Sequence, residues 1–183
     1  MIPTSSSRAP RLSSSPVWPL MGLLALAVLL VLPAQATEPE IQAVWLNQDE
    51  DAHIEIAPCG DALCGTIVWL EDPLDDQGRP ELDDENPDSA KQNQPILGLQ
   101  ILEGFPVEPD RKGLWADGTI YDPNNGKTYS CQMSFKNANT LKIRGYIGIS
   151  LLGRTEIWTR VAPAEAEAAR RALEQRLGGD GGG

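Results

Sequence analysis

Gly118-Thr-Ile-Tyr-Asp-Pro-Asn-Asn-Gly-Lys-Thr-Tyr-Ser-Cys-Gln-Met-Ser-Phe135 reads as a β-hairpin. Its centre, Asp122-Pro123-Asn124-Asn125-Gly126, gathers the residues that favour tight turns: proline presets φ, glycine supplies positive φ, and Asp and Asn side chains bond their own backbone. On the return, Tyr129, Cys131, Met133 and Phe135 recur every second residue, so all four fall on one face of a strand. The same grammar extends in both directions. Gln42–Asn47, Ala52–Ala57, Thr66–Leu70 and Ile96–Phe105 precede the hairpin as strand-like runs, and Leu141–Ile147 and Thr155–Val161 follow it. Some eight or nine short strands predict an all-β domain, a sandwich or a barrel. Sequential hairpins favour an up-and-down meander. The interior of an eight-stranded barrel either fills with side chains or holds one small ligand.

Composition changes at Pro163. Ala164–Leu177 is rich in Ala, Glu, Arg and Leu, with proline suited to the first helical turn and Gly178 to the stop. A short C-terminal helix is expected, with a thin apolar face of Ala166, Ala169, Leu173 and Leu177. The glycine-rich end is expected to be disordered, so residues 163–183 form a helix-and-tail appendage to a domain at 37–162.

The first 36 residues carry the pattern of a secretory signal peptide. Arg8 and Arg11 precede an apolar run of 13 residues, Leu20–Leu32, and Ala34-Gln35-Ala36 offers a small-x-small cleavage site before Thr37. The run is shorter than the ~20 apolar residues of a membrane-spanning helix, and no cysteine stands at the cleavage point for lipid attachment. Cleavage would leave 147 of the 183 residues, with 13 basic against 26 acidic side chains. Such a chain is repelled by phosphate backbones and anionic lipid, so no nucleic-acid partner and no stable membrane insertion after signal cleavage are expected. Nine of the 26 acids fall between Glu71 and Asp88. That run reads as a long, solvated loop.

Cys59 and Cys64 flank a short polar turn between strand-like runs, which places them opposite each other within reach of a disulfide, the form an oxidising compartment favours. A zinc site would need a second cysteine pair. Cys131 is left over, either as a buried thiol or as a link to another chain. The catalytic signals are thin. His53, the one histidine, lies opposite Ile54 and Ile56 in the alternation and is expected at the surface, so neither a Ser-His-Asp nor a Cys-His arrangement has a credible base. Asp72-Pro-Leu-Asp-Asp-Gln-Gly does not fit the EF-hand spacing, and no glycine-rich phosphate cradle is present. No catalytic residue, metal ligand or cofactor is therefore expected.

Several stretches together resemble one family: Cys59-Gly-Asp-Ala-Leu-Cys-Gly-Thr-Ile-Val-Trp-Leu, Asn86-Pro87-Asp88, Pro95-Ile-Leu-Gly-Leu-Gln-Ile-Leu, Ile120-Tyr-Asp-Pro, Gly126-Lys-Thr-Tyr-Ser-Cys, Arg144-Gly-Tyr-Ile-Gly-Ile-Ser-Leu-Leu-Gly-Arg-Thr and Trp158-Thr-Arg-Val. They resemble the exported bacterial family known as domain of unknown function 2147, over about residues 43–161. The resemblance implies a small lipocalin-like barrel in the envelope of Gram-negative bacteria, with no established activity. The chain departs from the family pattern at Ala43-Val44-Trp45, at Asp117-Gly118, and at Lys91, Gln92 and Gln94, where the family tends to have arginines.

Aromatic and cationic residues at strand positions remain. Trp45 near the first strand, covered by Arg160 near the last, would resemble the cation–π closure of a lipocalin barrel. Trp69, Tyr121, Arg144, Tyr146 and Trp158 are the candidate ligand contacts, with core packing the simpler account of the same residues. The expected occupant is a small apolar or amphiphilic molecule bound in the periplasm. The alternative is an envelope protein partner meeting the acidic loop, Cys131 and the helix.

Overall fold

The computed structural model describes residues 40–178. The signal-peptide reading of residues 1–36 and the tail beyond Gly178 lie outside the described residues. Eight strands follow one another: β1 (Val44–Leu46), β2 (Ala52–Cys59), β3 (Ala62–Leu70), β4 (Gln100–Pro106), β5 (Leu114–Asp122), β6 (Lys127–Asn137), β7 (Thr140–Tyr146) and β8 (Arg154–Arg160). Each pairs antiparallel with the next, and β8 returns to β1, so the sheet closes into an up-and-down barrel without edges. The opening hairpin pairs Asp122 with Lys127 and Ile120 with Tyr129, and its inward residues Cys131 and Met133 are fully buried.

One end of the barrel is packed solid. Trp45, Phe105, Trp115 and Phe135 meet there, with Phe135 6.0 Å from Trp45 and edge-on to Trp115 at 5.6 Å. The Trp45 indole donates to the Ile41 carbonyl at 3.0 Å. The seam between β1 and β8 is short, pairing Trp45 with Arg160 and Leu46 with Thr159. The Arg160 guanidinium lies 4.4 Å from the centre of the Trp45 ring and donates to the carbonyls of Ala138 and Glu40.

Three strands begin four residues from where the sequence places them, β3 at Ala62 rather than Thr66 being the first. β5 begins at Leu114 rather than Gly118, because a bulge between Trp115 and Gly118, with Asp117 at φ 66°, interrupts the alternation. Ile96–Leu99 closes the long loop rather than opening β4. That loop is also less solvated than its charge suggests. Leu74 bridges Pro80, Leu82 bridges Pro95, and Asp83 is completely buried.

Helix α1 (Pro163–Gly178) docks on the outside of β2 and β3. Leu173 is buried, Arg170 lies 3.5 Å from Glu55, and Arg176 donates to the Glu71 carbonyl at 2.8 Å. Among the described residues no helix is long and apolar enough to cross a membrane. The docking overturns the surface placement of His53. The residue does point away from the barrel interior, yet only 6% of it is exposed, and it stacks on Trp69 at 4.5 Å. Burial lowers its pKa from 6.5, against the opposing pull of Glu165 on α1. A depressed folded-state pKa means that, as pH falls through 6.5, the unfolded chain takes up the proton first. Stability should therefore drop between pH 7.5 and 5.5, and His53→Gln should flatten the slope. Urea midpoints across that range check this; a slope that survives the substitution would contradict it.

Candidate functional site

The end opposite the packed aromatics is open. A cavity of about 920 Å³ begins there and runs into the barrel. Its size follows from the inward residues. Ala52 and Gly145 stand at inward positions on this side, whereas Trp and Phe fill the other. Ile54, Ile67, Ile101 and Ile143 form apolar walls above Trp158, which is 1% exposed. All three tyrosines of the chain, Tyr121, Tyr129 and Tyr146, line the space. The rim is acidic: seven carboxylates and a single guanidinium, that of Arg154, line the cavity.

The loop between β3 and β4 is pinned beside this mouth. Buried Asp83 accepts from the Tyr121 hydroxyl at 2.7 Å and from Asn86 Nδ2 at 2.6 Å. Desolvation, reinforced by the bond to Asp83, pushes the Tyr121 phenol up, so it stays a donor. Glu71, Glu81 and Ile96 of the same loop reach the cavity.

The loop between β7 and β8 forms a lip. Its Ile147, Ile149, Leu151 and Leu152 are 59–81% exposed, and Ile147 and Leu152 line the cavity. Arg144 organises it, donating to the carbonyls of Ser150 at 2.6 Å and Leu151 at 3.1 Å and to Thr155 Oγ1 at 2.6 Å. Gly153 completes the turn in close contact with the backbone of Gly145.

Of the five candidate ligand contacts, Tyr121, Tyr146 and Trp158 meet at the cavity. Trp69 does not. Ile54 pairs with Ile67 and His53 with Trp69, so Val68 is an extra residue, a bulge that turns Leu70 inward and Trp69 outward against His53. Arg144 does not line it either. It is out of phase with inward Leu141 and Ile143, and its donors hold the lip. Sequence reasoning missed Glu156, Arg154 and Tyr129. The alternation could have found Glu156, which shares a strand face with Trp158.

Residues 43–160 match the model of a family described as an uncharacterised protein conserved in bacteria, DUF2147. The chain belongs to that family. The barrel of this DUF2147 protein also resembles a solved structure, protein HP1028 from the human pathogen Helicobacter pylori, described as belonging to the lipocalin family. The two share 19% identity and superpose with a TM-score of 0.60, over 72% of this chain and 89% of the other. That likeness concerns the fold, a lipocalin-like barrel. No curated protein matches.

The three cysteines of the described residues of this DUF2147 barrel are accounted for within the fold. Cys59 and Cys64 are joined as a disulfide across the β2–β3 turn. Cys131 is fully buried, and its thiol is pushed up to about 12 by desolvation, so it is neither an exposed link to another chain nor a nucleophile at neutral pH. Among the described residues no three His, Cys, Asp or Glu side chains converge to hold a metal ion.

Proposed function

We propose that this DUF2147 protein is a non-enzymatic binder of a small, partly apolar molecule, held in the open end of its barrel and working in the bacterial periplasm. The observation that carries this reading is the cavity of about 920 Å³, apolar at its floor and polar at its rim, within the range of small-molecule sites. The exposed lip offers an apolar approach to it. The disulfide fits an oxidising compartment, and the leader pattern of residues 1–36, with cleavage before Thr37, supplies the route there.

A neutral apolar dye, N-phenyl-1-naphthylamine, tests the reading. It should bind saturably, brighten, and quench Trp158. Ile120→Trp, which puts an indole into the half-buried wall, should weaken binding at least about tenfold, roughly 1.4 kcal/mol. No saturable binding, or binding indifferent to Ile120→Trp, would overturn it. A second reading, an envelope interaction module, draws on the four exposed apolar side chains of the lip and on the outward acids of the β3–β4 loop. It predicts no dye binding and loss of partner capture when Glu71–Asp88 is neutralised.

A further inference from the structure

Carboxylates outnumber cations around the cavity, and several of its donors are already in use. The Trp158 indole N–H donates to Glu156 Oε2 at 3.1 Å, and the Tyr121 hydroxyl is taken by Asp83. Asn47 and Asn125 direct their amide N–H groups at Asp51, at 2.5 Å, and Asp122, at 2.7 Å. An anionic head would have the Arg154 guanidinium and the Tyr129 and Tyr146 hydroxyls to meet it, but would sit among seven carboxylates. A cationic head would meet those carboxylates as counter-charges.

Glu156 shows where such a head would rest. The inward residues of β8 step from rim to floor as Arg154, Glu156 and Trp158. The Glu156 side chain is 29% exposed, and the Arg154 guanidinium, 71% exposed, stands off at 3.7 Å from its Oε1. So the carboxylate one step above the apolar floor has only a distant, solvated cation beside it. The π-faces of Trp158 and the tyrosines lie around the same space, and such faces attract ammonium groups.

We infer that the cavity selects a cationic amphiphile, an alkyl or ring body bearing an ammonium group, with Glu156 as the counter-ion of the head. This rests on the ligand-binding reading above and specifies its charge class. The body would lie against Ile54, Ile67 and Ile143, and the head would displace the Arg154 contact.

Dodecyltrimethylammonium and laurate carry alkyl chains of matching length and opposite heads. Each is titrated, below its micelle concentration and at low ionic strength, against N-phenyl-1-naphthylamine bound to the purified protein. The cation should displace the dye at a concentration at least about tenfold lower than laurate. Glu156→Gln should narrow that ratio by about fivefold. Arg154→Ala, a change at an exposed rim position that tests the same contact if Glu156→Gln fails to fold, should widen it by removing the competing cation. Equal displacement, a preference for laurate, or a ratio that Arg154→Ala leaves alone would overturn the charge assignment while leaving a real cavity. Absence of dye binding would instead remove the binding reading, and this inference with it.

Discussion

Trp45→Ala should cost about 3–5 kcal/mol of unfolding free energy, a large share of the ~5–15 kcal/mol typical of a domain. The indole is fully buried, and three kinds of contact depend on it. It packs against Phe135, donates to the Ile41 carbonyl, and lies under the Arg160 guanidinium. Removing it opens a void at the packed end and leaves the Ile41 carbonyl without its donor. It also strikes the closing seam of the barrel, where β1 and β8 share only two residue pairs. Urea unfolding followed by far-UV circular dichroism measures the loss without relying on the deleted fluorophore. A cost below about 1 kcal/mol would mean that the seam is held by something other than this residue. The dye site lies at the opposite end, so a folded fraction of the variant should still bind the dye.

Gly126→Ala should cost about 2–4 kcal/mol, combining left-handed backbone strain with a steric overlap. Gly126 sits at φ 64° in the β5–β6 turn, and a Cβ there would run into the carbonyl oxygen of Glu85. Either the turn or the segment around Glu85 must move. The second is the cheaper route, because that segment is tied down chiefly by the buried carboxylate of Asp83 and its bonds from Tyr121 and Asn86. The variant should therefore show a lower melting temperature together with new proteolytic cleavage between Glu71 and Leu99. Wild-type melting with an intact loop would show that the turn and the loop do not depend on each other. Because Glu71, Glu81 and Ile96 reach the cavity, the same change should also loosen the mouth and speed dissociation of the dye.

These residues also show how far a sequence can be read. Period-two alternation is a local property, set by the pleat of a single strand. It placed Tyr129, Cys131, Met133 and Phe135 on one face before any partner strand was known. Turn chemistry is equally local, and Asp122–Gly126 announced its hairpin through φ preferences alone. Trp69 escaped this logic because one extra residue, Val68, inverts the phase of the strand, and a bulge is defined only by its pairing with β2. Arg144 looked like a free cation on an aromatic strand, and its partners are the carbonyls of a lip that folds back onto it. His53 was assigned to the correct face and the wrong environment, since the cover comes from a helix more than a hundred residues away in the chain.

The residues by themselves determined an all-β meander of eight or nine strands, the Cys59–Cys64 pairing and the C-terminal helix, because each depends on neighbours within a few residues or on a simple period; the choice of a barrel over a sandwich came from the family resemblance, and its closure from the pairing of β8 with β1. The tertiary structure alone decided that one end of the barrel is packed and the other hollow, that Asp83 is buried, that Trp69 turns outward, and that Glu156 faces an apolar cavity. Those outcomes depend on which side chains meet across a closed sheet, and the volume they leave is a sum over all eight strands that no single segment encodes.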